Sequence, residues 1–414
     1  MRQRSVAAVA ELKVCAESAP STVLILSAGV GAGHHACAEG LRDELQSVAP
    51  ELRVALVNGV GSSGGAARLL LERCLRLQLM YWPRAYSLSY AICVRWRPGR
   101  AIATRALHLG TRRRLRALIK SERPAIVVST YPGLTTVLGI MRQRAQLNVP
   151  VCAMVTDIAG LHFWTHAGVD LHLTCYEESL PEIARITDGL VARSARPPLA
   201  ATHWRRRDRR SARTALGLAA DAPVILISGG GWGVGDLGGA ITAALEVAEV
   251  RVIVVCGKNA RAYRRFSNAY ADEPRVQILG HTTSMADLLG AASILVHSTG
   301  GMTCLEAAAH GCPVIAYGFA LGHMRENVAM MVRCGMIEEA RSGPELTRKL
   351  QAAIASPRPP EPYVPDREPA SAAILELLSG RAAAASPAPP SAGPTLLARG
   401  HAAPSSEART PAAL

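Results

Sequence analysis

Short apolar runs bounded by small-residue turns dominate this chain, and they leave few folds open to it. Residues 22–27 (TVLILS) form a run with no polar residue between its ends. A strand that is apolar on both faces must be covered on both, as in a parallel sheet under helices. Residues 53–57, 125–129, 151–155 and 171–175 repeat the pattern, with helical segments between them. After the midpoint it begins again, at 224–228, 251–256, 276–279, 294–296 and 313–317. Alternating strand and helix predicts a parallel sheet with helices on both faces. A length of 414 residues allows about two such domains. The expected fold class is therefore α/β, with two doubly wound, Rossmann-like domains in tandem. Their strand C-terminal ends should face each other across a cleft.

The boundaries follow from composition. Residues 1–20 read as a loose leader and 21–195 as the N-terminal domain. Residues 196–220 read as the linker, because 193–213 hold eight Arg, one Asp and the Pro197-Pro198 pair. The C-terminal domain is expected over 221–357, then a segment with a helix over 358–380. Residues 381–414 contain 12 Ala and 6 Pro with few large apolar side chains, which predicts a disordered tail.

Three turns in this framework carry chemistry. The one in the second half reads His297-Ser-Thr-Gly-Gly-Met-Thr-Cys-Leu-Glu306. A strand, a Gly-containing turn and a helix starting at Thr303 present unpaired N–H groups and a positive dipole end, which attract a phosphate. Gly300 and Gly301 let an anion approach the backbone closely. Glu306 is a carboxylate one turn in, suited to sugar hydroxyls. The first half carries Ser27-Ala-Gly-Val-Gly-Ala-Gly-His34. Asn58 stands where a NAD-binding fold would place its ribose-holding acid, so the NAD reading is not taken. The helix dipole at His34 disfavours imidazolium, which predicts a neutral ring able to accept a proton; the bland alternative is a His that caps the helix. The third turn, Ser228-Gly-Gly-Gly-Trp-Gly-Val-Gly235, resembles a diphosphate cradle at Gly229, Gly230 and Gly231. Two facing Gly loops, one with a His, suit group transfer from a nucleotide-diphosphate donor. No Asp-x-Asp occurs in the chain, so no metal clamp and no cofactor are expected. Helix N-termini and basic groups would stabilise the leaving group.

Several of these blocks, in order, resemble a known family. They are residues 24–34 (LILSAGVGAGH), Val155-Thr-Asp157 with Trp164-Thr-His166 and Val169-Asp170, residues 254–259 (VVCGKN), and residues 299–309 (TGGMTCLEAAA) followed by 311–315 (GCPVI). The chain is similar to GT-B glycosyltransferases that act on diacylglycerol: monogalactosyldiacylglycerol synthases and processive diacylglycerol glucosyltransferases. The resemblance runs from about Thr22 to Arg333. It implies a UDP-sugar donor bound mainly by the C-terminal domain. Glu306 would hold the ribose, and Gly300, Gly301 and Thr303 would line the diphosphate, helped by Gly229–Gly231. Asn259, His323 and Asn327 are implied to complete the donor site. His34 would face the acceptor hydroxyl, or the phosphates, from the N-terminal domain, and a base there would let the hydroxyl attack with inversion. Asp157 either orients that site or simply ends a strand. This chain departs from the family at Ser298-Thr299, where a Lys is common. It departs again at His323-Met324, where the family commonly has Gln-Glu, and before Arg196-Pro197, where Gly-x-Pro is missing.

Charge decides the acceptor side. The formal net charge is +14, and residues 68–123 hold 14 Lys/Arg against two acids. Such a patch implies a polyanionic surface. Five of the 17 aromatic residues (Tyr81, Trp82, Tyr86, Tyr90 and Trp96) fall within 16 positions, with Arg84 and Arg97 among them. Aromatic rings edged by Arg suit a lipid headgroup layer. Aromatics amid Arg also stack on bases, but no nucleic-acid module signature is present. Tyr81, Trp82, Arg84, Tyr86, Trp96 and Arg97 are therefore expected to face membrane and acceptor. No run of about 18 apolar residues occurs, and Glu11 and Lys13 interrupt the N-terminal apolar run too early for a signal peptide. The ten cysteines form no C-x-x-C pair, which predicts buried, reduced thiols.

The resulting expectation is a peripheral enzyme on the cytoplasmic face of the membrane, moving a hexose from a UDP-sugar to diacylglycerol. Rival readings are a polyprenyl-linked or small-molecule acceptor, a UDP-sugar epimerase, and an inactive membrane-binding scaffold.

Overall fold

The computed structural model describes residues 21–29, 31–60, 74–205, 208–318, 321–355 and 366–380. The expected leader, the expected tail and residues 61–73 lie outside them. Two six-stranded sheets organise the chain. The first contains β1 (Thr22–Ser27), β2 (Arg53–Asn58), β3 (Ile126–Ser129), β4 (Val151–Val155), β5 (Leu171–Thr174) and β6 (Ala192–Ser194), in the order β2-β1-β3-β4-β5-β6. The second contains β7 (Val224–Ser228), β8 (Arg251–Val255), β9 (Val276–Leu279), β10 (Ile294–His297), β11 (Val314–Tyr317) and β12 (Glu338–Ala340), in the order β12-β11-β10-β7-β8-β9. Every pairing is parallel.

The N-terminal helices are α1 (Gly33–Val48), α2 (Leu75–Tyr81), α3 (Pro83–Tyr90), α4 (Arg97–Glu122), α5 (Pro132–Gln143) and α6 (Leu180–Ile186), with a π-helical turn at Ala91–Arg95 between α3 and α4. The linker holds α7 (Ala201–Trp204) and α8 (Arg209–Ala215). The C-terminal domain adds α9 (Leu237–Leu245), α10 (Ala260–Ala269), α11 (Met285–Ala291), α12 (Met302–Ala309), α13 (His323–Arg333) and α14 (Gly343–Ala355).

Alternation along β1 explains its composition. Val23 and Ile25 pack with Leu41 and Leu45 of α1, whereas Leu24 and Leu26 pack with Leu134 and Leu138 of α5. Both faces are covered, so both must be apolar. In the second sheet Leu226 belongs to one cluster, and Ile225 and Ile227 to the other.

Two strands went unread in the sequence. β6 (Ala-Arg-Ser) and β12 (Glu-Glu-Ala) have no apolar run, because each is a short strand at a sheet edge. The last helix, α15 (Ala370–Leu378), does not stay with the second domain. Arg196 pairs with Pro369 in a parallel bridge, the Ser371 N–H donates to Glu44 Oε1 at 2.8 Å, and Arg193 pairs with Glu376 at 2.9 Å. The chain therefore crosses between the domains twice, once through the linker and once on its return.

Candidate functional site

The C-terminal ends of β1 and β4 meet those of β7 and β10 across a closed cleft. A Cβ placed on Gly231 would run into the Ala32 side chain, and one on Gly33 would touch Met302 at 3.4 Å. The two Gly loops thus face each other at van der Waals contact. Any ligand between them requires the two crossings to hinge open.

The C-terminal loops are held within their own domain. His297 Nδ1–H donates to the Ser228 carbonyl at 2.9 Å, which leaves Nε2 to accept from Thr299 Oγ1 at 2.9 Å. A neutral ring satisfies both partners, and burial, which lowers its pKa to about 4, keeps it neutral. Ser298 Oγ, at the place of the family's Lys, donates to the Val234 carbonyl at 2.7 Å. Gly230 N–H donates to Ser228 Oγ at 3.2 Å. These bonds tie the turn after β10 to the turn after β7. Gly300 and Gly301 both have positive φ, +71° and +77°, a conformation that L side chains rarely adopt. Gly301 is the N-cap of α12, so the helix starts one residue earlier than expected and Glu306 lies in its second turn.

Glu306 is mostly buried, with its side chain 13% exposed. Burial raises its carboxyl to about 7, against a Thr303 hydrogen bond that pulls the other way. Behind it, His203 of α7 lies 3.9 Å away and shares a hydrogen bond of 3.2 Å with His310. Burial pushes His203 down to about 4, so near neutral pH this is a neutral imidazole beside the carboxyl rather than an ion pair.

The N-terminal side of the cleft is built differently. His34 sits at the second position of α1, with Ala32 as N-cap, so it does not cap the helix. Its Nδ1 is 3.1 Å from Thr156 Oγ1, its ring meets Tyr131 edge-on at 5.3 Å, and Trp164 lies 5.8 Å away. The pKa of His34 is lowered, as expected, but burial is the first cause. Asp157 raises it and His323 lowers it. Asp157 is more than a strand-end residue. Trp164 Nε1 donates to one oxygen at 2.7 Å and Asn327 Nδ2, from the other domain, to the second at 2.8 Å.

Two expected donor contacts have other work. Asn327 is buried and also accepts from the Ile158 and Ala159 N–H groups, each at 3.1 Å, making it a bracket between domains. Asn259 caps α10 by accepting from Ala262 N–H at 3.0 Å and donates to the Gly233 carbonyl at 3.0 Å. Both amides are spent, but differently: Asn259 satisfies an N–H of its own helix, whereas Asn327, within α13, reaches across to backbone N–H groups and Asp157 of the other domain.

The aromatic segment splits by face. Tyr81, Trp82 and Trp96 are 51%, 64% and 58% exposed, and Arg84 and Arg97 are exposed beside them. Leu88, Ile92, Ile102 and Leu109 widen the apolar surface. Tyr86 corrects the expectation: it is 6% exposed and reaches the other domain, where its hydroxyl and His323 Nδ1 are 2.5 Å apart. Tyr90 and Glu326, unread in the sequence as site residues, make a second crossing at 2.8 Å. Tyr176 Oη donates to the Gly301 carbonyl at 3.2 Å as a third. No sequence signal pairs residues 236 positions apart. Among the described residues, no helix is long and apolar enough to cross a membrane, and no group of three His, Cys, Asp or Glu is placed to hold a metal.

Comparison with known proteins follows this division. Residues 34–189 match the monogalactosyldiacylglycerol (MGDG) synthase family, and residues 224–355 match the glycosyl transferases group 1 family. A processive diacylglycerol beta-glucosyltransferase of Bacillus cereus (strain 03BB102) is 25% identical over 258 residues, covering 59% of this chain and 63% of that protein. The chain thus spans somewhat under two thirds of the length of such curated relatives. Among solved structures, Acinetobacter baumannii MurG is 14% identical with a TM-score of 0.50, covering 87% of this chain and 100% of its own. Medicago truncatula UGT71G1, complexed with UDP-glucose, is 11% identical with a TM-score of 0.53, covering 88% and 94%. At such identities these structures speak to the fold alone. Two Rossmann-like domains closing on paired Gly loops define the GT-B class. Within it, this chain resembles the monogalactosyldiacylglycerol synthases in its first half and the glycosyl transferases of group 1 in its second.

Proposed function

We propose that this protein transfers a hexose from a UDP-sugar to a lipid hydroxyl, that of diacylglycerol, while lying peripherally on the cytoplasmic face of an anionic membrane. The observation that carries the reading is the closed cleft itself. It brings His34 and Asp157 of one domain against the Gly300–Gly301 turn and α13 of the other. In this reading the backbone N–H groups at the start of α12 receive the diphosphate, and Glu306 accepts from the ribose hydroxyls. With Nδ1–H donated to Thr156, the remaining nitrogen of a neutral His34 keeps a lone pair for the acceptor hydroxyl. The hydroxyl oxygen attacks the anomeric carbon, its proton passes to His34, and UDP leaves with the bonding pair, inverting the centre. Asp157 holds Trp164 and Asn327 and stabilises the imidazolium that forms.

The exposed Trp82, Trp96, Arg84 and Arg97 support the lipid side, since each cation near an anionic bilayer contributes about 1 kcal/mol. The test is a donor screen with vesicles containing diacylglycerol and an anionic lipid, read by the mass of the lipid product. Release of no UDP from any common UDP-sugar sinks the proposal. A changed sugar nucleotide with no lipid product favours an epimerase instead.

A further inference from the structure

Tyr86 and Tyr90 stand four residues apart on α3 and so share one face. That face looks away from the exposed side carrying Leu88. It lies against the start of α13. A Cβ on Gly322, the N-cap of α13, would approach the Tyr86 ring to 2.7 Å and the Tyr90 ring to 3.2 Å. A Cβ on Gly160 would meet the Glu326 carboxylate at 2.6 Å and the Tyr90 hydroxyl at 2.8 Å. Arg95 lies 3.6 Å from Glu326. The first turn of α13 is therefore held by N-terminal-domain groups from several directions.

Burial raises both phenols well above their ordinary range, so each stays protonated and acts as a donor. Tyr86 Oη–H then donates to His323 Nδ1, and a neutral ring carries its own proton on Nε2. The place of that ring is set by two neighbours. The helix that carries it is bonded through Asn327 to Asp157 at 2.8 Å, and α13 runs beside the Gly300 turn, where Asn327 Cβ is 3.6 Å from the Cβ position of Gly300. A sugar whose diphosphate rests on that turn, and whose anomeric carbon reacts beside His34, must lie next to His323.

From this geometry we infer that Tyr86 and Tyr90 are positioning residues of the donor-sugar subsite. They are contributed by the acceptor-side domain, and they hold the first turn of α13 so that His323 Nε2–H is offered to a hydroxyl of the transferred sugar. The inference rests on the UDP-sugar reading above. Its consequence is that the same short helix that turns its outer side outward also completes sugar recognition on its inner side.

Calorimetry on the full chain compares UDP with UDP-glucose and UDP-galactose. In Tyr86→Phe the affinity for UDP should be unchanged, while that for the preferred UDP-sugar should fall about tenfold, the order of one buried hydrogen bond with an orphaned partner. His323→Ala should produce the same loss, and the double variant no further loss, as two members of one contact behave. Additive losses, or a UDP-sugar affinity unaffected by Tyr86→Phe, overturn the inference. Hydrogen exchange at residues 322–327 gives a readout free of any nucleotide. The Tyr86→Phe, Tyr90→Phe double variant should exchange there about tenfold faster at unchanged thermal midpoint; unchanged exchange overturns the clamp. A wild type that binds neither UDP nor a UDP-sugar instead removes the proposed function, and with it the subsite, while the exchange result still decides the clamp by itself.

Discussion

The two halves of the cleft are made on different principles. The C-terminal loops are stitched within their own domain, through His297 to Ser228, Ser298 to Val234 and Asn259 to Gly233. The N-terminal half leans on bonds that cross to the other domain: Asp157 and the Ile158 and Ala159 N–H groups to Asn327, Tyr86 to His323, and Tyr90 to Glu326. The first arrangement survives when the domains part; the second exists only when they are closed. Nucleotide binding should therefore be a property of one domain, and catalysis a property of closure.

The sharpest break in that contrast is His34→Ala. It should lower kcat by about 10²–10⁴-fold, the usual contribution of a general base, with UDP affinity unchanged. Calorimetry beside turnover measurements reads both, and a parallel loss of UDP affinity would place His34 on the donor instead. Asn327→Ala comes next. It strips partners from Asp157 and two buried N–H groups, at a cost of about 1–3 kcal/mol. Because that cost falls on the closed state, kcat should drop and small-angle scattering should show a more open molecule. A variant as compact and active as wild type would remove the bracket.

A milder change comes from pH. The Glu306 carboxyl, raised by burial to about 7, is protonated at pH 5–6 and ionises as pH rises through 7. Hydrogen bonds to a charged group contribute about 1.5–3 kcal/mol, against about 1 kcal/mol for neutral ones, so UDP affinity should rise roughly tenfold across that window. Glu306→Gln should flatten the profile at the acid-limb affinity. A flat profile in wild type would show that Glu306 does not meet the ribose. The smallest effect is expected at the surface, where Arg97→Ala should weaken binding to anionic vesicles by about fivefold and leave UDP affinity alone. Vesicle sedimentation at low and at high salt checks it, since a lipid contact of this kind must fade with screening.

Most of the framework was legible in the residues. Ten strands announce themselves as apolar runs: eight inner strands because both faces are covered, and the edge strands β2 and β9 because they still carry apolar side chains. β6 and β12 do not, because each is a three-residue edge strand without an apolar run, defined by its neighbour and not by its own side chains. The Gly turns were visible, since positive φ restricts the residue type locally. Asn259 and Asn327 were expected at the donor site through the family resemblance, but whether such an amide meets a ligand or a backbone N–H depends on what folds against it.

Tyr86 is the clearest case of the limit. By composition it belongs with Tyr81, Trp82 and Trp96 on an aromatic, cationic surface; in the fold it is buried against His323. What the chain's own residues determined was everything governed by periodicity and backbone conformation: fold class, sheet interiors, phosphate-ready turns and the basic aromatic face. Which face of α3 is outward, which helix Asp157 touches, and where α15 returns were decided by tertiary structure alone. Those contacts join residues far apart in sequence, and their energy comes from the exclusion of water between surfaces that local composition cannot pair.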